Sequence, residues 1–108
     1  MEVEDLSKLA RDIKIAYDEL HREEDKEVWR AKDYAQGFIG DVGDLNKWIL
    51  NYSKKPTKEL HKKICHELAD CMWSILVIAH ELNINMEREF LINLEYLKQK
   101  YRESSKKH

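Results

Sequence analysis

The sequence predicts an all-α fold, a small four-to-five-helix bundle that associates with copies of itself. Three observations predict it. Apolar residues recur at three-and-four spacing through four separate segments, the pattern of amphipathic helices. The 108 residues include one proline and three glycines, too few for the tight turns of a sheet-rich protein. A chain of this length also buries only a modest core, so joining copies is a natural way to hide more apolar surface. The length suits a single domain spanning 1–108, with about 102–108 a frayed basic tail.

The first helix is expected over residues 4–23, where Leu6, Leu9, Ile13, Ala16, Tyr17 and Leu20 form one stripe facing the core. Residues 24–31 break that stripe and read as a connection, with Trp29 as a packing anchor. A second helix spans residues 32–52, with Ala35, Phe38, Ile39, Val42, Leu45, Ile49 and Tyr52 on its stripe. Pro56 disfavours helix at the residue before it, and Thr57 is placed to cap the next helix. That third helix, residues 57–82, contains "LADCMWSILVIAH", in which Asp70 is the one formally charged residue. A helix apolar on nearly every face belongs at the centre of a bundle or in a subunit interface. Asn85 can cap a fourth helix carrying Phe90, Leu91, Leu94 and Leu97.

A net charge of −2 gives no global attraction for a nucleic-acid polymer or an anionic membrane. No apolar run of about 18 residues occurs and the N-terminus is charged from its second residue, so a cytoplasmic protein is expected. Cys65 and Cys71 lie about 9 Å apart along one helix, beyond disulfide reach, and read as reduced packing thiols. His61, Cys65 and His66 cluster in "HKKICH", but no second group completes a zinc set.

All three glycines sit in "GFIGDVGDLNKW", residues 37–48, threaded with Asp41 and Asp44. The spacing GxxGxxG fits neither a P-loop, nor a dinucleotide loop, nor a calcium loop. Inside a helix, three glycines cost about 3 kcal/mol relative to alanine, which close approach of another helix or a ligand would offset. Tight helix packing is the plainer expectation for the glycines alone.

Asp41 and Asp44 stand at i and i+3 on one helix face, and Glu67 and Asp70 repeat the spacing on the third helix. A carboxylate in so apolar a run needs a positive partner or must become neutral. Should the two helices face each other, each pair of charges about 5 Å apart repels by roughly 3 kcal/mol at an effective dielectric near 20. A divalent cation relieves that repulsion, and all-oxygen ligands favour Mg²⁺ or Mn²⁺ over zinc. Lys47 and Trp48, one turn beyond Asp44, are candidate contacts to phosphate and base, set against the ordinary roles of a solvated lysine and a core tryptophan.

These residues resemble a known family. "GDVGDL", followed some twenty residues later by "HELADCMWSILVIAHELNIN", is similar to the MazG-like all-α nucleotide pyrophosphohydrolases, whose signature is ExxE, a spacer, then ExxD. In the dCTP pyrophosphatase branch the first motif reads G-E-V-G-E-L, which this chain matches with aspartate in both glutamate positions. Glu67-Leu68-Ala69-Asp70 matches the second motif unchanged. The similarity covers residues 32–85 well and the fourth helix loosely. It implies a bundle of the all-α NTP pyrophosphatase type, working as a homodimer or homotetramer. It also implies Mg²⁺ held by Asp41, Asp44, Glu67 and Asp70, and hydrolysis of nucleoside triphosphates to monophosphate and pyrophosphate. The family's K-N-x-x-R-Y motif falls on Tyr96-Leu97-Lys98-Gln99-Lys100-Tyr101, which keeps the basic-aromatic pair and points to Lys100 as a phosphate contact.

Other readings have weaker residue support. The Asp replacements suit a non-catalytic module of the same fold that binds metal or nucleotide. A di-metal oxidase bundle needs paired Glu-x-x-His motifs, and Asp18-x-x-His21 is the nearest approach. "HELAD" misses the zinc-protease HExxH because Asp70 replaces the second histidine.

Overall fold

The computed structural model of the chain describes residues 2–24 and 28–106. They form four helices and no strand: α1 (Val3–Glu23), α2 (Ala31–Lys54), α3 (Lys58–Glu81) and α4 (Met86–Lys106). The fourth helix thus continues through 102–106, part of the stretch expected as a tail.

Each helix starts where a polar side chain satisfies an otherwise orphaned backbone N–H. The Asp5 carboxylate accepts from the Glu2 N–H at 3.0 Å and the Asp33 carboxylate from the Arg30 N–H at 2.9 Å. As the sequence predicts, Thr57 Oγ1 accepts from the Leu60 N–H at 3.1 Å, and Asn85 Oδ1 from the Arg88 N–H at 3.1 Å. The α3–α4 corner closes with the Ile84 N–H donating to the Ala79 carbonyl at 2.8 Å. Asn83 turns it at φ 57°, a left-handed conformation that asparagine tolerates better than most residues.

The central helix is α3, which packs against both α2 and α1, while α4 makes its main contacts with α1. The small core holds Ala10, Tyr34, Leu76 and Val77, with Trp29 and Trp73 packed against it. Trp29 is the anchor expected of it: its ring lies edge-on to Tyr34 at 5.3 Å between centroids, and one edge covers Gly37. The other two glycines do not serve packing within the chain. A methyl group added at Gly40 or Gly43 would meet nothing within 4 Å, and one at Gly37 would meet only the Trp29 ring of the connection at an ordinary 3.5 Å, so the expected tight helix packing is not what the glycines serve within the chain.

The first helix departs from expectation. It buries Ala10, Lys14, Asp18 and His21 and leaves most of its apolar stripe exposed, with Ile13 60% exposed, while Leu6 packs against the core. The reason is an ion network. The Lys14 ammonium donates to Asp18 on its own helix and to Glu81 Oε1 on α3 at 2.6 Å. Burial pulls the Lys14 pKa down, but the hydrogen bonds and charges of Asp18 and Glu81 outweigh it and hold Lys14 above its ordinary value. His21 is tied through Nδ1 to the Tyr17 carbonyl at 3.0 Å, and Asp18 is paired with Lys14.

Among the described residues twenty large apolar side chains are exposed and six apolar residues are buried, so one chain's core is undersized. The radius of gyration agrees: 17.5 Å, against about 13 Å for a compact domain of this length. Among the described residues no helix is long and apolar enough to cross a membrane.

Removing Lys14 strands two buried carboxylates. Lys14→Met should therefore destabilise the chain by about 3–5 kcal/mol, read as a lower urea midpoint with an unchanged slope.

Candidate metal centre

The antiparallel pairing of α2 and α3 builds the site. Phe38, Asp41, Leu45 and Trp48 turn inward from α2, each half-buried, while Ile39, Val42 and Ile49 of the expected stripe face outward. The inward register carries Asp41 to the α3 residues Glu67 and Asp70. One carboxylate oxygen from each of these three residues lies within 4.8 Å of the other two. Asp44 stands one turn along α2, exposed and outside this group, yet near enough for its charge to act on Asp41 and Glu67.

The electrostatics are those of a crowded negative site. Burial raises the Asp41 pKa, and the charges of Asp70 and Asp44 raise it further. Glu67 is raised by burial and by Asp41, Asp44 and Asp70. Its Oε2 is buried without a hydrogen-bond partner, a costly state for a carboxylate oxygen. Beneath the acids, burial followed by the charges of Asp41, Glu67 and Asp70 pushes the Cys71 thiol up, which keeps it protonated. His66 Nε2 lies 3.1 Å from Asp70 Oδ2, an exposed i, i+4 pair on α3.

A hard divalent cation fits this donor set. Oxygen ligands from three converging carboxylates suit Mg²⁺ or Mn²⁺, and a cation would give the orphaned Glu67 oxygen its partner. The zinc alternative gains nothing. Cys65 is exposed with Sγ 3.7 Å from His61 Nδ1, and neither residue joins the acid group. Both thiols are free, and only Cys71 packs inside.

Of the remaining sequence candidates, Lys47 and Trp48 lie one turn from Asp44 on the same hairpin. The Lys47 ammonium sits 4.6 Å from the centre of the Trp48 ring. Lys100 belongs to α4, whose main contacts are with α1 and whose N-terminal Met86 alone is packed against the core, and Lys100 is not among the residues at the acid group. Lys63, whose ammonium is 4.3 Å from the Trp48 ring, escaped the sequence reading, and His66, weighed there only for zinc, is instead beside Asp70; each precedes a site acid by four residues, which was the signal available.

No protein-family model matches the chain, and no curated protein or solved structure is significantly similar to it.

A carboxyl whose pKa rises on folding binds its proton more tightly folded than unfolded, so its contribution to stability falls as pH climbs past the ordinary value. For Asp41 and Glu67 those values are 3.8 and 4.5. In EDTA, wild-type protein should therefore lose thermal stability with rising pH above that range, relative to an Asp41→Asn, Glu67→Gln variant. Saturating Mg²⁺ should remove the difference.

Proposed function

We propose that the chain is a Mg²⁺-dependent nucleoside triphosphate pyrophosphohydrolase of the MazG-like all-α type. It would release nucleoside monophosphate and pyrophosphate, as nucleotide-pool housecleaning enzymes do, and act as a cytoplasmic homodimer or homotetramer. The observation that carries the reading is the meeting of Asp41, Glu67 and Asp70 within 4.8 Å across two helices, with a buried Glu67 oxygen left unpaired. The motif resemblance adds the reaction class to that geometry.

Asp41, Glu67 and Asp70 would hold the cation, with Asp44 reaching it directly or through water. A Mg²⁺ ion held there would supply charge neutralisation at the phosphate oxygens and a more acidic attacking water. The chain's own residues do the positioning. His66 would steady Asp70, and buried Cys71 lies close enough to the acids to feel the charges of Asp41, Glu67 and Asp70.

Self-association is supported by the outward apolar stripes of α1 and α4 and by the extended shape. In sedimentation, the species should have the mass of two or four 13.0 kDa chains; a monomer at micromolar concentration would remove this part of the proposal.

Hydrolysis is tested with a panel of ordinary and modified nucleoside triphosphates in Mg²⁺ or Mn²⁺, reading pyrophosphate release. Asp70→Asn should abolish turnover while leaving the helical content intact or slightly more stable, because it relieves repulsion in the empty site. Full activity in that variant would exclude Asp70. A second reading, a non-catalytic module that binds metal or nucleotide, is favoured by Asp44 standing outside the acid group. Nucleotide binding without turnover across the panel would select it.

A further inference from the structure

One divalent cation neutralises only half the charge of Asp41, Asp44, Glu67 and Asp70. An incoming phosphate chain would still meet a negative wall. The α4 lysines, where the motif resemblance puts the phosphate grip, are not packed against this hairpin. A nearer source of compensating charge lies on the hairpin itself.

The hairpin supplies it one turn along. The register that sets Asp41 against Asp70 also sets Trp48 against Lys63, four residues beyond Asp44 on α2 and four before Glu67 on α3. One turn is about 5.4 Å of helix axis. Two ammonium groups lie over one indole there, Lys63 at 4.3 Å from the ring centre and Lys47 at 4.6 Å. The electron-rich ring attracts both and holds long, flexible side chains in place without neutralising them. Neither lysine is committed to a strong ion pair. Within 4 Å, Lys63 has the exposed Glu59 at 3.8 Å, a weak pair in high dielectric. Lys47 has no ion pair among the described residues.

We propose that Lys63 and Lys47, held on the Trp48 ring, form the phosphate-binding end of this site and take the polyphosphate oxygens that lie beyond the cation. Lys63, supplied by the helix that also bears Glu67 and Asp70, is the principal contact. Trp48 is a positioning residue that acts through the two lysines. The inference rests on the pyrophosphohydrolase reading and adds to it where the substrate's charged tail lies.

The test measures nucleotide hydrolysis and, independently of turnover, calorimetric binding of inorganic pyrophosphate in Mg²⁺. Lys63→Ala should raise KM and weaken pyrophosphate binding by about tenfold or more, the usual effect of losing a charged hydrogen bond. Its kcat should change little, and its affinity for Mg²⁺ alone should match wild type. Lys63→Arg should restore most of the loss, because it keeps the charge. Trp48→Leu should weaken pyrophosphate binding less than Lys63→Ala, and Trp48→Phe should recover part of the difference. Wild-type KM and pyrophosphate affinity in Lys63→Ala, in a protein whose Asp70→Asn variant is inactive, would overturn this inference and leave the enzyme reading standing. Absence of both turnover and Mg²⁺-dependent pyrophosphate binding in wild type would overturn the two together.

Discussion

The register of α2 against α3 is the constraint on which the rest depends. One inward row of α2 side chains supplies Tyr34 to the core, Asp41 to the acid group and Trp48 to the lysines. Because side chains three and four residues apart share a helix face, fixing any one of these positions fixes the others. A slip of one residue along the hairpin would turn Asp41 away from Glu67 and Asp70 and expose Tyr34 together. Core packing and site geometry are therefore not separable, because the buried aromatic at one end of the hairpin sets the register in which the acids meet further along.

A second constraint works on α1. Its choice of face is decided by charge satisfaction and not by hydropathy. Lys14 bridges Asp18 and Glu81 in a buried setting, and Tyr34 lies under the ammonium, 5.8 Å from ring centre to Nζ. That environment raises the Tyr34 hydroxyl to about 12, through burial first and the Asp18 charge second. The arrangement has visible costs: Asp18 Oδ1, the Tyr34 hydroxyl and Trp73 Nε1 are buried without hydrogen-bond partners. A buried ion pair is weak evidence for stability but sets orientation well, since misplacing it leaves charges unpaired. Here it directs the apolar side of α1 outward, where it joins the uncovered apolar residues of α4.

The helices were legible in the sequence because their signals are local. The caps at Thr57 and Asn85, the break at Pro56 and the periodic stripes depend only on neighbours in the chain, and the helices and caps they mark appear where expected. Three of the four candidate acids were legible as a group for a related reason: two i, i+3 pairs on facing helices leave few other arrangements. The features that escaped were non-local. The burial of Lys14 depends on Glu81, far along the chain, and no periodicity within α1 reports it. The freedom around Gly40 and Gly43 depends on the absence of a packed neighbour, which composition cannot reveal. Lys63 escaped because its meaning comes from Trp48 on the opposite helix.

The link between α2 and α3 is only residues 55–57. Closing so short a loop costs little chain entropy, and contacts close in sequence form before distant ones. The acids thus meet on a hairpin that can pair before α1 and α4 dock. Their mutual repulsion opposes the chain at that first step, so the charge state of three side chains bears on how readily the hairpin closes, as well as on the finished site.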